Sequence, residues 1–184
     1  LLAKDLYFAI KSLNKFHIEI VTNGDKLNKK NLKKLYDLGV NMIFVSIYEE
    51  KDLPKFNNIF STINKHKFAF RLHINSPPLV TNRASAMPVN FTPQYLNTPC
   101  NYPSYHIEID WNGDILLCPH NIWKKNIKFG NINEQELKTI WYNKKYSKIR
   151  KSLFTDRKNG TCDNCDAIGT LYGNDYASSF KKIL

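Results

Sequence analysis

The sequence predicts an α/β protein in which a parallel strand-and-helix unit is followed by a small cysteine-bearing domain with a β-hairpin and a helix. Three observations predict it. Apolar strand patterns alternate with helical patterns over residues 16–74, the order that builds a parallel sheet. Asn112-Gly113 stands between two alternating stretches, the strongest short-range hairpin signal. The four cysteines, Cys100, Cys118, Cys162 and Cys165, all fall in the second part of the chain.

Taken in order, Phe16–Val21 is apolar-rich, ends in Thr22-Asn23-Gly24 and is predicted as the first strand. A helix follows, with Leu32, Leu35 and Leu38 at helical spacing and Gly39 as its stop. Met42–Ile47 is the second strand, and Phe68–Ile74 the third. Between them Leu53–Lys65 is predicted as a helix with Phe56, Ile59, Phe60 and Ile63 inward. Successive parallel strands joined by right-handed crossovers are neighbours, so Met42–Ile47 is expected in the middle. Phe16–Val21 is then expected at an edge with its outer backbone groups unpaired. No GxGxxG loop occurs, which lowers the dinucleotide-binding reading.

Residues 75–99 are dense in Pro, Ser, Asn and Thr and read as an extended connector, because proline interrupts ladders and helices. The expected domains are residues 1–97 and 98–184. In the second, Tyr105–Asp110 turns at Asn112-Gly113 into Asp114–Cys118. A final helix is predicted over Glu134–Leu153, with Asn133 as its cap and Glu136 completing a capping box.

Cys162-Asp163-Asn164-Cys165 is a local chelate, since two intervening residues let both sulfurs face one centre. Two structural disulfides are the alternative, but stapled scaffolds are short and cysteine-dense, and this chain is neither. A thioredoxin-like CxxC opens a helix after a strand, whereas Cys162 follows the polar run Asp156-Arg157-Lys158-Asn159-Gly160. An all-sulfur site suits zinc and iron–sulfur alike, and chemistry alone leaves both open.

A hydrophobic fraction of 42% with 13% aromatics supports a core. The net charge of +11 fits either an acidic or nucleic-acid partner or a lysine-rich solvated surface. The second reading is preferred, given Lys144-Lys145, Lys148 and Arg150-Lys151 on one helix. No apolar run reaches membrane-span length and no signal-peptide pattern opens the chain. Reduced thiols place the expected location in the cytoplasm.

Around the cysteines a linked set of motifs stands out. It comprises Cys100, His106-Ile107-Glu108-Ile109-Asp110-Trp111-Asn112-Gly113-Asp114-Ile115 and Cys118, then Phe129-Gly130-Asn131-Ile132, Leu137, Ile140-Trp141 and Ile149-Arg150. Cys162, Cys165, Asp166 and Gly169 complete it. This set resembles the SPASM/twitch extension of radical S-adenosyl-L-methionine (SAM) enzymes. The resemblance implies an auxiliary 4Fe-4S cluster on all four cysteines, in the shorter one-cluster form because no further cysteine follows Cys165. It also casts Thr22-Asn23-Gly24 and Val45-Ser46-Ile47 as strand ends of a partial parallel (β/α) barrel, and Asn82-Arg83-Ala84 as the segment that precedes a SPASM domain.

The same family holds its catalytic cluster with CxxxCxxC and the SAM amino group with a Gly-Gly-Glu-Pro segment, and neither is present. The opening Leu1-Leu2-Ala3-Lys4-Asp5-Leu6 resembles the continuation of that segment. The chain is therefore expected to be the C-terminal portion of a longer radical SAM oxidoreductase or maturase, inactive by itself in radical chemistry. Its cluster is expected to carry electrons, because full cysteine ligation leaves no open iron for substrate. Ser46 and Arg71 are candidates for the SAM ribose or carboxylate, and Arg83 for SAM or substrate. His120 is expected beside the metal site or at the surface, while His17, His66, His73 and His106 are assigned structural roles. Asp110 and Asp114 are explained by the turn they flank. Expected partners are a small-molecule or peptide substrate and, for the parent enzyme, a reductant such as ferredoxin or flavodoxin. The rival readings are a zinc module with a basic nucleic-acid-binding face and a metal site that only staples the domain.

Overall fold

A computed structural model describes residues 5–74, 98–121, 127–157, 160, 162–167 and 169. The chain divides into two compact units, Leu1–Pro78 and Leu79–Leu184. Among the described residues no helix is long and apolar enough to cross a membrane.

In the first unit, α1 (Leu6–Ser12), β1 (Glu19–Thr22), α2 (Lys29–Asp37), β2 (Met42–Ile47), α3 (Leu53–Phe60) and β3 (Phe68–Leu72) follow one another, with short 3₁₀ turns at Glu50–Asp52 and Lys65–Lys67. The sheet order is β1-β2-β3, all parallel, as the alternation predicts. Central β2 buries Ile43, Val45 and Ile47 against Leu32 and Leu35 of α2 and Phe56, Ile59 and Phe60 of α3. Asn28 and Asn31 exchange side-chain-to-backbone hydrogen bonds at the start of α2, a reciprocal cap. Gly24, at φ +75°, leads the chain off β1 so close to Phe56 that a Cβ there would stand 2.4 Å from the ring.

Three expectations are corrected. The first strand begins at Glu19, not Phe16, because pairing starts at Glu19↔Met42, while Phe16 lies in a turn closed by its N–H on the Leu13 carbonyl. The second helix ends at Phe60 rather than Lys65, and the chain re-enters through the 3₁₀ turn before β3. Helix α1 went unforeseen, although Leu6, Tyr7 and Ile10 are spaced to share one face; Ile10 is buried in the core.

The second unit contains α4 (Tyr102–Tyr105), β4 (Glu108–Ile109), β5 (Asp114–Leu116), β6 (Lys128–Asn131), α5 (Leu137–Trp141) and α6 (Lys144–Ser152). The predicted hairpin is β4–β5, and β6 adds a third antiparallel strand on the far side of β5. Asp110 and Asp114 close a loop of Trp111, Asn112 and Gly113, with Gly113 at φ +89°. A type I turn followed by a left-handed glycine is the usual solution for that loop length. Tyr105 belongs to α4 rather than to the strand.

The single predicted helix over Glu134–Leu153 is two helices, and Asn133 caps neither. Asn133 donates instead to the Asn112 carbonyl across the turn. Asn143 caps α6 by accepting from the Tyr146 N–H at 2.7 Å, and it donates to the Phe129 carbonyl at 2.9 Å. The reason is packing. Ile140 and Tyr146 would lie about 120° apart around one continuous helix, and both are buried in this core. Breaking the helix between them lets both face it.

Asp114 ties the hairpin to β6. It pairs with Lys128 and accepts from Asn112 at 2.9 Å and Asn131 at 3.0 Å. The Lys128 hydrogen bond first, then those of Asn112 and Asn131, hold its carboxyl down to about 2. A lowered folded value means the contribution is present above the ordinary carboxylate range near pH ~4 and is lost as pH falls toward ~2. Urea midpoints measured from pH 5 to pH 2 should fall more steeply for the parent than for Asp114→Asn. Parallel profiles would show that this network contributes nothing to acid stability.

Candidate metal centre

The cysteines reach the second unit's core by three routes. Cys100 stands just before α4, anchored by its N–H on the Leu153 carbonyl at 2.8 Å, and Asn101 donates to the Gly169 carbonyl at 3.0 Å. Strand β5 carries Ile115 and Leu116 into the interior, buried Leu117 follows it, and Cys118 comes immediately after. Cys162 and Cys165 form a tight turn closed by the Cys165 N–H on the Cys162 carbonyl at 2.9 Å. Cys162 and Cys165 are buried, Cys100 and Cys118 half-buried, and none of the four is in a disulfide.

Two of the thiols, Cys118 and Cys100, are shifted by their surroundings. Burial pushes Cys118 up to about 12, the Asn121 and His120 N–H groups oppose this, and Cys165 and Cys100 push it further up. Burial likewise raises Cys100; the Tyr102 N–H and the Arg157 guanidinium pull it down, and Cys165 pushes it up. Cys162 packs in the same core as Cys165, Tyr146, Phe129 and Ala167, with Cys100 against it. Gly169 completes the nest: a Cβ there would fall 2.3 Å from Cys100 Sγ and 2.8 Å from its Cα. Among the described residues no three His, Cys, Asp or Glu side chains are placed to hold a single metal ion.

Two residues of this centre carried no sequence signal. Arg157 is 1% exposed, donating from Nε to the Thr98 carbonyl at 3.0 Å and from Nη1 to the Cys165 carbonyl at 2.8 Å. In sequence it is one residue of the polar run that precedes Cys162. Tyr146 is fully buried and its ring stacks on Phe129 at 4.0 Å. Among the described residues its hydroxyl has no hydrogen-bond partner; burial pushes it up to about 12, the Arg150 guanidinium opposes this, and Cys118 adds to the rise. A buried O–H without an acceptor is costly. Four thiols with an unused donor beside them fit a sulfur-rich cluster, whose sulfides accept such bonds.

In the first unit, Ser46 on β2 and Arg71 on β3 are register partners near the carboxyl ends of their strands, Ser46 buried and Arg71 exposed. Ligands of open parallel sheets bind beyond that end. Tyr48 and His73 stack there, with ring centroids 5.0 Å apart, so His73 has an exposed aromatic partner in addition to the structural role foreseen. Arg83 lies outside the described residues. His120 is half-buried with its ring edge-on to Tyr102 at 5.5 Å, and His106 meets Glu108 at 3.0 Å.

Residues 100–166 match the SPASM family, described as an iron-sulfur cluster-binding domain. The S-adenosyl-L-methionine-dependent 2-deoxy-scyllo-inosamine dehydrogenase of Niallia circulans is 28% identical over 162 residues. That alignment covers 85% of this chain and 63% of the dehydrogenase, so the chain spans less than two thirds of its relative. The crystal structure of BtrN in complex with AdoMet and 2-DOIA superposes with a TM-score of 0.73 at 26% identity, covering 91% of this chain and 68% of BtrN. BtrN in an open conformation gives 0.64 at 25% identity, over 91% of this chain and 66% of BtrN. The chain thus carries a SPASM iron–sulfur domain within a BtrN-like fold and is homologous to a radical SAM dehydrogenase over most of its length.

Proposed function

We propose that this chain serves a radical SAM dehydrogenase, with Cys100, Cys118, Cys162 and Cys165 holding an auxiliary 4Fe-4S cluster that takes part in electron transfer. The observation that carries the proposal is the set of unbridged cysteines at one core, Cys162 and Cys165 within it, Cys100 packed against it and Cys118 next to buried Leu117, with the unused Tyr146 hydroxyl in the same core. When bound, such a cluster supplies one-electron redox chemistry. The chain's own residues form its surroundings. Tyr146 brings a buried hydroxyl into the core that holds Cys162 and Cys165, Arg157 ties the Cys165 loop to Thr98, and Gly169 leaves room for Cys100.

Residues 1–97 are proposed as part of the partial barrel and residues 98–184 as the twitch domain. At the carboxyl edge of the sheet, Ser46 and Arg71 are proposed to meet SAM, Arg71 through its bidentate donors on the carboxylate. Arg83 is proposed to reach SAM or substrate from the connector. By likeness to the Niallia circulans dehydrogenase, the substrate class is a small polyhydroxylated ring alcohol, oxidised to a ketone. The cytoplasm is the proposed location, since its thiols are kept reduced there.

Anaerobic purification tests the centre. The protein is expected to be brown, with about four irons and four acid-labile sulfides per chain, the content of one such cluster. A colourless protein containing zinc would overturn the cluster and favour the zinc module.

A further inference from the structure

Between Leu137 and Leu153 the chain carries Lys138, Lys144, Lys145, Lys148, Arg150 and Lys151 and no acidic residue. Lys144, Lys148 and Lys151 recur at helical spacing, so they share the exposed side of α6, opposite buried Tyr146. No ion pair among the described residues neutralises them. Arg150 instead turns inward, with its guanidinium 4.2 Å from the Trp141 ring centroid and 4.6 Å from that of Tyr146. Beside α5 lies an open cavity of about 510 Å³ lined by Tyr105, Ile107, Leu137, Lys138, Trp141 and Tyr142. Trp141, in its wall, meets Tyr146 edge-on at 5.5 Å, and Tyr146 packs in the cysteine core. Two touching aromatic rings therefore lead from the cysteines to an apolar surface hollow, and a row of unneutralised lysines lies on the next helix.

We infer that the α5–α6 face docks an acidic one-electron carrier protein that exchanges electrons with the cysteine centre, an inference that rests on the cluster reading above. Opposite charges steer and orient such a partner, while an apolar centre excludes water at the contact. Charge complementarity selects the occupant: a partner surface of like positive charge, including that of a second copy, would be repelled at these lysines. The exchange balances simply. A loaded centre would supply one electron, which the oxidised carrier would gain, with no bond made or broken.

The test uses the full chain with an acidic bacterial flavodoxin as probe. Calorimetric affinity is measured at low and high salt for the parent and for K144E/K148E/K151E, together with iron and sulfide content. The triple variant is expected to bind flavodoxin at least tenfold more weakly, with a flatter salt dependence and unchanged iron and sulfide. At saturating flavodoxin, Trp141→Phe is expected to slow flavodoxin reduction by the dithionite-reduced protein severalfold, and an unchanged rate would overturn the route through that ring. Equal affinity of the triple variant and the parent would overturn the docking surface. So would a parent that ignores flavodoxin but binds duplex RNA through the same lysines, or one that pairs with itself through them. A protein without iron and sulfide sinks the cluster reading, which the affinity comparison reads separately.

Discussion

Cys165→Ser is expected to lose most of its iron and to destabilise the second unit by at least about 3 kcal/mol. Where a metal centre forms only in the folded chain, its binding free energy, on the order of 10 kcal/mol for structural four-coordinate sites, becomes folding free energy. Cys165 is buried, closes the turn with Cys162, and perturbs both Cys100 and Cys118. Removing it therefore takes one ligand away and leaves the loop with few apolar contacts of its own. Iron content and urea unfolding of the anaerobic protein provide the measurement. A variant with full iron and an unchanged midpoint would remove Cys165 from the ligand set.

Arg157→Met should be nearly as damaging, by a different route. The guanidinium joins the Thr98 carbonyl to the Cys165 carbonyl within the core. Methionine fills much of the volume but donates to neither. Withdrawing a donor from the buried Cys165 carbonyl costs about 1–3 kcal/mol, and the part-buried Thr98 carbonyl adds less. Arg157→Lys keeps a charge but lacks the planar fork that spans both acceptors, and should fall between the two. Urea unfolding of the metal-free chain isolates this effect from cluster binding. A midpoint for Arg157→Met equal to the parent's would show that the bridge does not hold the loop.

The parts of the fold that were legible depend on near neighbours in sequence. Met42–Ile47 reads as a central strand because the apolar run is continuous, and its place between β1 and β3 follows from the handedness of crossovers. Asn112-Gly113 marks the hairpin because few other residues accept the left-handed backbone that Gly113 adopts. Helix α1 is legible by the same reasoning, since Leu6, Tyr7 and Ile10 are spaced to share one face. The start of β1 was not, since an apolar Phe16 looks the same whether or not a partner strand lies beside it.

The sequence by itself determined the four cysteines, the hairpin that separates two of them and the chelate turn that pairs the others, because ligand chemistry and turn geometry are local properties. Only the tertiary structure decided which groups surround those sulfurs. Arg157 finds an acceptor 59 residues away, and Asn143 breaks a helix so that Ile140 and Tyr146 can enter one core. β6 pairs with β5, and Tyr146 enters the cysteine core from a helix that reads as a basic surface. In each case the deciding free energy comes from burying a polar group with its partner or an apolar one with its neighbours, and those partners are distant in sequence.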